Sequence, residues 1–313
     1  MIAIAGAGAF GTALAIALGR DGRNVALWAR EVSDLAASRQ NSHYLPGVTL
    51  PDSVSVSADS HAFLHSDVVL LAIPMQALSG FLQSHSAALR GKVLVACCKG
   101  IDLVSLEGPS AVIRRQCPEA QIAVLTGPSF AADIARGMPT ALTLAGADEN
   151  LQALLSTPTL RLYRSGDVIG AELGGALKNV MAIAAGVVMG AGLGDSARAA
   201  LMTRGFAEMQ RFALAKGAKP ETLAGLSGLG DLVLTCTSAQ SRNFRFGQAI
   251  GQGTGFDPKI TVEGAATARA MAEMARRDGI DMPITQMIAA LVAQKITLPD
   301  AIQALLSRPL KEE

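Results

Sequence analysis

The chain opens with the apolar run Met1-Ile2-Ala3-Ile4-Ala5, which leads directly into Gly6-Ala7-Gly8-Ala9-Phe10-Gly11. An apolar segment at helical spacing follows, so this stretch predicts a strand, a tight turn and a helix. In such a turn the first glycine permits the bend, the second lets the backbone approach a pyrophosphate, and the third lets the helix close onto the strand. Amides at the helix N-terminus then face the anion. A glycine-rich turn without a ligand is the alternative.

Apolar runs and helical patterns alternate after this turn. Strands are predicted at residues 2–5, 24–29, 68–73, 93–96 and 122–125, and helices at 10–21, 32–40, 76–88 and 108–116. The alternation predicts an α/β fold with a doubly wound (Rossmann), mainly parallel sheet. Residues 140–145 and 160–164 alternate apolar and polar side chains, which predicts added edge strands, with an antiparallel arrangement as one option. From Val168 onward the pattern is helical.

Length and composition fit two domains and a small-molecule ligand. The 313 residues exceed the ~250–300 at which a single core stops growing, and we predict a dinucleotide-binding domain at 1–167 and an all-helical substrate domain at 168–313. The net charge of +1 indicates no nucleic-acid partner. The 4 cysteines form no metal-ligand pattern, so we expect reduced thiols, no metal and a cytoplasmic location.

Two uncharged stretches need a separate interpretation. Residues 1–19 lack the positively charged start of a secretory signal, and residues 180–194 are too short and glycine-rich to cross ~30 Å of hydrocarbon. We therefore expect no integral membrane segment.

The choice of dinucleotide depends on the end of the second strand, Leu27-Trp28-Ala29-Arg30-Glu31. An acid at this point binds the ribose hydroxyls of NAD, whereas an arginine accommodates the extra phosphate of NADP. Arg30 occupies the position of the acid and favours NADP, while Glu31 keeps NAD open. A solvated charge pair at the start of a helix is the alternative.

Polar residues follow two later strands at the edge where ligands bind in open α/β sheets. Lys99 follows the strand at 93–96, and Gly127-Pro128-Ser129-Phe130-Ala131 follows the strand at 122–125. Lys99 is a candidate cation at the mouth of the crevice, or else a surface lysine. Ser129 is either a ligand contact or an N-cap.

Lys178 is the candidate proton donor and acceptor. It is the only cation between Arg164 and Arg198, and its neighbours one helical turn away are small or apolar. Burial among them lowers the pKa of a lysine from ~10.4, which suits proton exchange near neutral pH. The alternative is a lysine that extends from the helix edge into solvent.

Further candidates lie in the second half of the chain. Asp231 follows a flexible glycine-containing turn and either partners a lysine or caps a helix. The segment Ser241-Arg242-Asn243 either grips a phosphate or carboxylate or forms part of a solvated face. Glu263 is left undecided between the same kinds of role.

Seven motifs in order resemble the NAD(P)-dependent glycerol-3-phosphate dehydrogenase family of bacterial type. The resemblance covers residues 2 to about 265, and its motifs are the glycine loop, Lys99-Gly100, 127–131, 172–179, 228–231, 241–247 and 262–264. Ala9 departs from the serine of many members, which removes one hydroxyl contact to the cofactor. The resemblance implies reversible reduction of dihydroxyacetone phosphate to sn-glycerol 3-phosphate with NADPH or NADH, a step that supplies glycerophospholipid synthesis. It also suggests a homodimer.

The resemblance also implies roles for individual residues. Lys178 would be the catalytic acid and base, with Lys99 and Asp231 as further catalytic residues. Substrate would contact Lys99, Gly127, Ser129, Lys178, Asp231, Ser241, Arg242 and Asn243. The cofactor would contact Gly6, Gly8, Ala9, Phe10, Gly11, Arg30, Lys99, Ala131, Arg242, Thr261 and Glu263. The chemistry agrees, because hydride transfer to a ketone leaves negative charge on oxygen, which calls for a proton donor and nearby cations.

Two other functions fit parts of the pattern. A β-hydroxyacid dehydrogenase shares the architecture and a helix lysine followed by asparagine, but its motifs do not match residues 127–131 or 241–247. A dinucleotide-sensing regulator without chemistry would share the glycine loop, yet it has no use for Lys99, Lys178 and Asp231 around one crevice.

Overall fold

The computed structural model describes residues 1–306, and its first half is built on one eight-stranded sheet. The strands are β1 (Ile2–Ala5), β2 (Val25–Trp28), β3 (Val54–Ser57), β4 (Val68–Leu71), β5 (Val93–Ala96), β6 (Gln121–Thr126), β7 (Thr140–Ala145) and β8 (Leu160–Ser165). Their order across the sheet is β3-β2-β1-β4-β5-β6-β7-β8. The first six are parallel, β7 is antiparallel to β6, and β8 is parallel to β7. This arrangement confirms the predicted doubly wound sheet with added edge strands.

The helices of the first half connect and cover these strands. They are α1 (Ala9–Arg20), α2 (Ser33–Ser38), α3 (His61–Leu64), α4 (Met75–Leu89), α5 (Pro109–Gln116), α6 (Ala131–Arg136) and α7 (Glu149–Leu155). Strands β1, β2 and β4 are buried along their whole length, as expected for parallel strands with both faces covered. Two separate apolar clusters lie on the two faces, one around Leu14 and Ile16 of α1 and one around Leu78 and Leu82 of α4.

The sequence pattern does not single out β3, and it overestimates α2. Strand β3 lies at the edge of the sheet with only Val54 fully buried, so its sequence Val-Ser-Val-Ser lacks the apolar run that marks the inner strands. Helix α2 ends at Ser38 because Arg39 adopts a left-handed conformation with φ of 56°. The predicted helix at 32–40 is therefore too long at its carboxyl end.

The second half is helical, as predicted. Its α-helices are α8 (Val168–Gly190), α9 (Gly194–Ala215), α10 (Pro220–Ala224), α11 (Asp231–Cys236), α12 (Arg242–Gln252), α13 (Glu263–Asp278), α14 (Pro283–Val292) and α15 (Leu298–Leu306), with a π-helical segment at Leu226–Gly230. Of the helices within residues 1–306, only α8 is long and apolar enough to cross a membrane, and 89% of its most apolar window is buried inside the protein. It is the central helix of this half.

Glycines bring α8 and α12 into backbone contact. A Cβ atom at Gly186 would lie 2.1 Å from the carbonyl oxygen of Phe244, and one at Gly247 would lie 2.0 Å from that of Ile183. No side chain fits at these two positions, so the helix axes approach more closely than larger residues permit. The close packing fixes the N-terminus of α12, where the Ser241-Arg242-Asn243 segment lies, relative to α8.

Candidate active site

The glycine loop has the shape of an anion-binding turn. Gly6 has φ of 109°, and a Cβ at Gly11 would lie 2.0 Å from the carbonyl oxygen of Gly6, so the fold itself requires both glycines. A Cβ at Gly8 meets nothing within 4 Å. Gly8 is also the N-cap of α1, where no side chain caps the helix and the first turn carries no acid. Open space above Gly8 and uncapped amides fit a pyrophosphate group, the part of a dinucleotide that this turn binds.

The other candidate cofactor residues lie around this turn. Ala9 and Phe10 form the first turn of α1 and are partly buried, while Arg30 follows β2 and is exposed, as is its neighbour Glu31. Ala131 begins α6 after β6. Thr261 is exposed just before α13.

Glu263, the first residue of α13, reaches across to the first half of the chain. Burial raises the pKa of its carboxyl group, against the opposing effects of the Arg242 guanidinium and of a hydrogen bond that the Met75 backbone amide donates. A Cβ at Gly100 would lie 3.7 Å from the Glu263 Oε2 atom. Glu263 therefore lies beside the Lys99-Gly100 turn, between the two halves.

Lys99, Lys178 and Asp231 form one buried cluster. The Lys99 Nζ atom lies 2.5 Å from Asp231 Oδ2, and the Lys178 Nζ atom lies 3.1 Å from Asp231 Oδ1. Asp231 is 1% exposed and Lys178 is 7% exposed. Both alternative interpretations from the sequence are therefore wrong for this pair: Lys178 does not extend into solvent, and the Asp231 carboxylate binds two ammonium groups rather than capping a helix. The three elements that meet here are the turn after β5, helix α8 and the first turn of α11.

The charges in the cluster shift the pKa values of its members. Burial, together with the like charge of Lys99, lowers the pKa of Lys178 to about 8, although Asp231 acts in the opposite direction. For Asp231, burial raises the pKa, but the two ammonium groups and their hydrogen bonds outweigh burial, so its pKa is lowered overall. The cluster therefore holds an ionised carboxylate beside a lysine that can exchange a proton near neutral pH.

Thr235 completes this cluster and was not among the residues predicted from the sequence. Its hydroxyl accepts a hydrogen bond from Lys178 Nζ at 2.7 Å and donates one to Asp231 Oδ1 at 3.1 Å. Asp231 and Thr235 are four residues apart on α11, a spacing that places both on one face of a helix. In the sequence, only this four-residue spacing indicates that Thr235 belongs to the site. The spacing becomes informative once Asp231 is known to face the site.

Gly127 and Ser129 lie next to Lys99. The Gly127 carbonyl oxygen accepts a hydrogen bond from Lys99 Nζ at 3.1 Å, and Gly127 has φ of 136°, which favours glycine. The Ser129 hydroxyl donates to the same carbonyl oxygen at 3.4 Å. Ser129 is not the N-cap of α6; Phe130 occupies that position, and no side chain caps the helix.

The N-terminus of α12 combines an exposed cation with buried polar groups. Ser241 is the N-cap, and its hydroxyl accepts from the Phe244 amide at 3.2 Å; Arg242 is exposed. Asn243 is buried and links three helices: it donates to Asn179 Oδ1 at 2.9 Å and accepts from the Gly264 amide at 2.9 Å. Asn179, like Thr235, was not predicted as a site residue.

A metal is not indicated by the described side chains. Within residues 1–306 no group of three or more His, Cys, Asp or Glu residues is placed to hold a metal ion. The four cysteines are free; Cys97, Cys117 and Cys236 are buried.

The comparisons with known proteins agree along nearly the whole chain. Residues 1–152 match the family model for the N-terminus of NAD-dependent glycerol-3-phosphate dehydrogenase, and residues 167–303 match the model for its C-terminus. The chain belongs to this family. Membership confirms the resemblance and the prediction of an NAD(P)-dependent oxidoreductase.

Individual relatives are similar over their full length. A protein of Cereibacter sphaeroides named glycerol-3-phosphate dehydrogenase [NAD(P)+] is 63% identical over 317 residues, covering 100% of both chains. A relative of the same name from Ruegeria is 61% identical and covers 100% of this chain and 99% of its own length. The crystal structure of glycerol-3-phosphate dehydrogenase from Coxiella burnetii is 36% identical, covers 98% of each chain and superposes with a TM-score of 0.93.

Proposed function

We propose that this chain catalyses the reversible reduction of dihydroxyacetone phosphate to sn-glycerol 3-phosphate with NADPH or NADH. The observation that carries the proposal is the Asp231 carboxylate, which holds the Lys99 and Lys178 ammonium groups at 2.5 Å and 3.1 Å. A ketone oxygen placed against this cluster meets two cations, one of which can release its proton. Family membership and the names of the relatives, glycerol-3-phosphate dehydrogenase [NAD(P)+], supply the substrate.

Lys178 is proposed as the acid in reduction and the base in oxidation. The reduced nicotinamide ring, when bound, supplies the hydride that goes to the carbonyl carbon. Lys178 then donates a proton to the carbonyl oxygen and becomes a neutral amine, and in the reverse direction it takes the hydroxyl proton back. A lysine pKa of about 8 gives both protonation states near neutral pH, which suits a group that works in both directions.

Lys99 and Asp231 are proposed to prepare Lys178 for this transfer. The carboxylate orients both Nζ atoms, and the Thr235 hydroxyl holds Lys178 from the other side at 2.7 Å. Lys99 is proposed to place its ammonium group beside the oxygen on which negative charge develops. Because these groups are fixed before substrate arrives, little reorganisation is needed during the reaction.

The N-terminus of α12 is proposed to bind the substrate phosphate. Arg242 is exposed at the first position of the helix, and a guanidinium group at a helix N-terminus suits a phosphate. The Ser241 hydroxyl is engaged as the N-cap, and Asn243 is tied to Asn179 and Gly264. We therefore propose that Ser241 and Asn243 set the position of Arg242 and bind the substrate only through hydrogen-bonding groups that these contacts leave free. Gly127 and Ser129 are proposed to contact the substrate from the side opposite Arg242.

The glycine loop is proposed to bind the cofactor pyrophosphate. Arg30, exposed after β2, is proposed to contact the 2′-phosphate of NADPH, and Glu31 leaves NADH as an alternative. Ala9, Phe10, Ala131, Thr261 and Glu263 are proposed to line the remaining cofactor surface.

Steady-state kinetics tests this proposal directly. We expect turnover of dihydroxyacetone phosphate with NADPH or NADH, and turnover of small β-keto acids at least a hundredfold slower. Turnover of the keto acid alone would favour a β-hydroxyacid dehydrogenase. Binding of NADPH without turnover of either substrate would favour a regulator that senses dinucleotides.

Three broader assignments accompany the reaction. We propose the domain boundary between residues 167 and 168, a cytoplasmic location in support of glycerophospholipid synthesis, and a homodimer. Free, mostly buried thiols support a reducing compartment. Leu229 and Val233 are 40% and 45% exposed, and we propose that these apolar side chains contact a second copy. Light scattering at micromolar concentration would test the dimer, and a monomer mass would contradict it.

A further inference from the structure

Asn41 is a buried amide that contacts the glycine loop from a distant part of the chain. It lies between α2 and β3 and is 8% exposed. Its Nδ2 atom donates to the Ala7 carbonyl oxygen at 2.8 Å and to the Thr12 hydroxyl at 2.8 Å. An amide nitrogen carries two hydrogens, so both are used. Asn41 thus joins the glycine loop to the first turns of α1.

The bond to Ala7 fixes the direction of one peptide group in the loop. A trans peptide is planar, with its carbonyl and N–H pointing in opposite directions, and the chain has no cis peptide bonds among residues 1–306. Because the Ala7 carbonyl points to Asn41, the N–H of Gly8 in the same peptide points away from it. This orientation also turns the Ala7 oxygen, which would repel an anion, away from a ligand that the loop amides bind.

Asn41 is itself held firmly in place. Its side-chain Oδ1 atom accepts from the Tyr44 amide at 3.4 Å. Its backbone carbonyl oxygen accepts from the Leu45 amide at 2.8 Å, and Leu45 is 3% exposed in the same apolar cluster as α1. Two residues earlier, the Arg39 guanidinium donates to the carbonyl oxygens of Val54 and Pro51 at 2.9 Å and 2.5 Å. The amide is therefore preorganised, as a supporting residue must be to position a binding loop.

We propose that Asn41 is a positioning residue for the pyrophosphate-binding amides of the glycine loop. This inference rests on the dinucleotide binding in the proposed function, and it assigns a role to a segment in which no candidate site residue was identified from the sequence. If Asn41 only stabilised the fold, its loss would weaken the binding of all ligands alike. As a positioning residue, its loss should weaken the binding of ligands that contain a pyrophosphate and leave the binding of those that lack one unchanged.

The test compares the affinities of two cofactor fragments by calorimetry. ADP-ribose contains the pyrophosphate, whereas AMP has the same adenosine with a single phosphate. For Asn41→Leu, which keeps the size and removes both donors, we expect ADP-ribose and NADPH to bind at least tenfold more weakly, AMP affinity within twofold, and kcat at saturating cofactor within twofold. Gln40→Ala is the matched control, because among the described residues the Gln40 amide group donates a hydrogen bond only to the exposed Thr49 hydroxyl. It should leave all affinities unchanged.

Substitutions of Thr12 test the same contact from its acceptor side and leave Asn41 in the chain. Thr12→Val removes the acceptor and should weaken ADP-ribose three- to tenfold, Thr12→Ser should restore it, and Thr12→Val should add no further loss in the Asn41→Leu background. An equal loss of AMP and ADP-ribose affinity, or unchanged ADP-ribose affinity in Asn41→Leu, would overturn the inference. If the unmodified protein binds ADP-ribose but does not reduce dihydroxyacetone phosphate, the proposed function fails and the role of Asn41 stands.

Discussion

The glycine loop and the Lys99–Asp231–Lys178 cluster lie at the same edge of the sheet, after β1 and β5, and they are built from different parts of the chain. In the loop, the groups that face a ligand are backbone amides, and the ligand has room to approach them because Gly8 has no side chain. In the cluster, the groups are charged side chains from three elements separated by up to 132 positions. The loop therefore depends on local conformation, whereas the cluster depends on how the two halves pack.

The largest effect is expected from Lys178→Met. The substitution keeps the length of the side chain but removes the proton donor, so we expect kcat for ketone reduction to fall by ~100-fold or more, the size typical of lost general acid catalysis. The dissociation constant for NADPH should stay within twofold, because the glycine loop is unchanged. Lys259→Met, at an exposed lysine, is the control. Near-normal turnover would contradict the proton-donor role of Lys178.

The two glycines Gly8 and Gly11 sharpen the comparison within the loop. For Gly8→Val we expect the dissociation constant for NADPH to rise on the order of 100-fold with little change in stability, because a Cβ at this position meets nothing within 4 Å in the protein. For Gly11→Ala we expect a loss of about 3 kcal/mol in unfolding free energy, because its Cβ would lie 2.0 Å from the Gly6 carbonyl oxygen. Fluorescence titration and urea unfolding measure the two effects. Equal destabilisation by both variants would show that Gly8 also has a structural role.

This contrast also explains what could be predicted from the sequence. The glycine loop and the buried strands are visible because their signals are local: glycine spacing, apolar runs and a turn. Strand β3 was missed because an edge strand with serine at alternate positions resembles a loop. The helix at Ser33–Ser38 is shorter than the predicted one because Arg39 adopts a left-handed conformation. The hydrophobic periodicity of the sequence carries no signal for such a conformation.

The cluster was predictable only in part. Lys178 stands out as a lone cation in an apolar helix, and Asp231 follows a glycine turn, but their separation in the chain hides the 3.1 Å contact. Thr235, Asn179 and Asn41 are uncharged residues, which are common at the surface and in caps. Their roles follow from tertiary contacts that composition and spacing do not encode.

The next largest effect is expected from Arg242→Ala. Loss of a charged contact to the substrate phosphate should raise the KM for dihydroxyacetone phosphate about 30-fold, consistent with ~2 kcal/mol for a charge-assisted hydrogen bond. The KM for unphosphorylated dihydroxyacetone should not change. Arg245→Ala, three residues further along α12 and also exposed, is the control. If Arg242→Ala weakens only NADPH binding, its assignment to the substrate phosphate is wrong.

The pH dependence of kcat/KM tests how the charges of Lys99 and Asp231 set the pKa of Lys178. With a Lys178 pKa of about 8, kcat/KM for ketone reduction should fall above about pH 8, where the donor loses its proton. For alcohol oxidation, kcat/KM should fall below about pH 8, where the base is protonated. The Lys99→Met substitution removes a like charge that lowers this pKa, so both midpoints should move to higher pH. Midpoints that stay in place would show that Lys99 does not influence Lys178.

The smallest expected effect concerns the connection between the two halves. Glu172 of α8 accepts hydrogen bonds from the Ser110 amide at 2.6 Å and the Ser110 hydroxyl at 2.8 Å at the start of α5. Burial raises the pKa of Glu172 from 4.5 to about 7, against these hydrogen bonds and Arg114. The folded state therefore binds more protons than the unfolded state between about pH 4.5 and pH 7, so this carboxyl makes stability fall as the pH rises through that range and stay level above it.

The Glu172→Gln substitution should remove this dependence. Glutamine stays neutral and retains an oxygen for the Ser110 amide, so we expect the variant to be about 1 kcal/mol more stable than the parent at pH 8 and no more stable than it at pH 5. Urea unfolding at the two pH values measures the difference. Glu208 of α9 accepts from the Ile284 amide at the start of α14, and burial raises its pKa to about 7. It remains in both proteins and supplies the same background slope. A variant that is less stable than the parent at pH 8 would show that the ionised carboxylate itself holds α5 against α8.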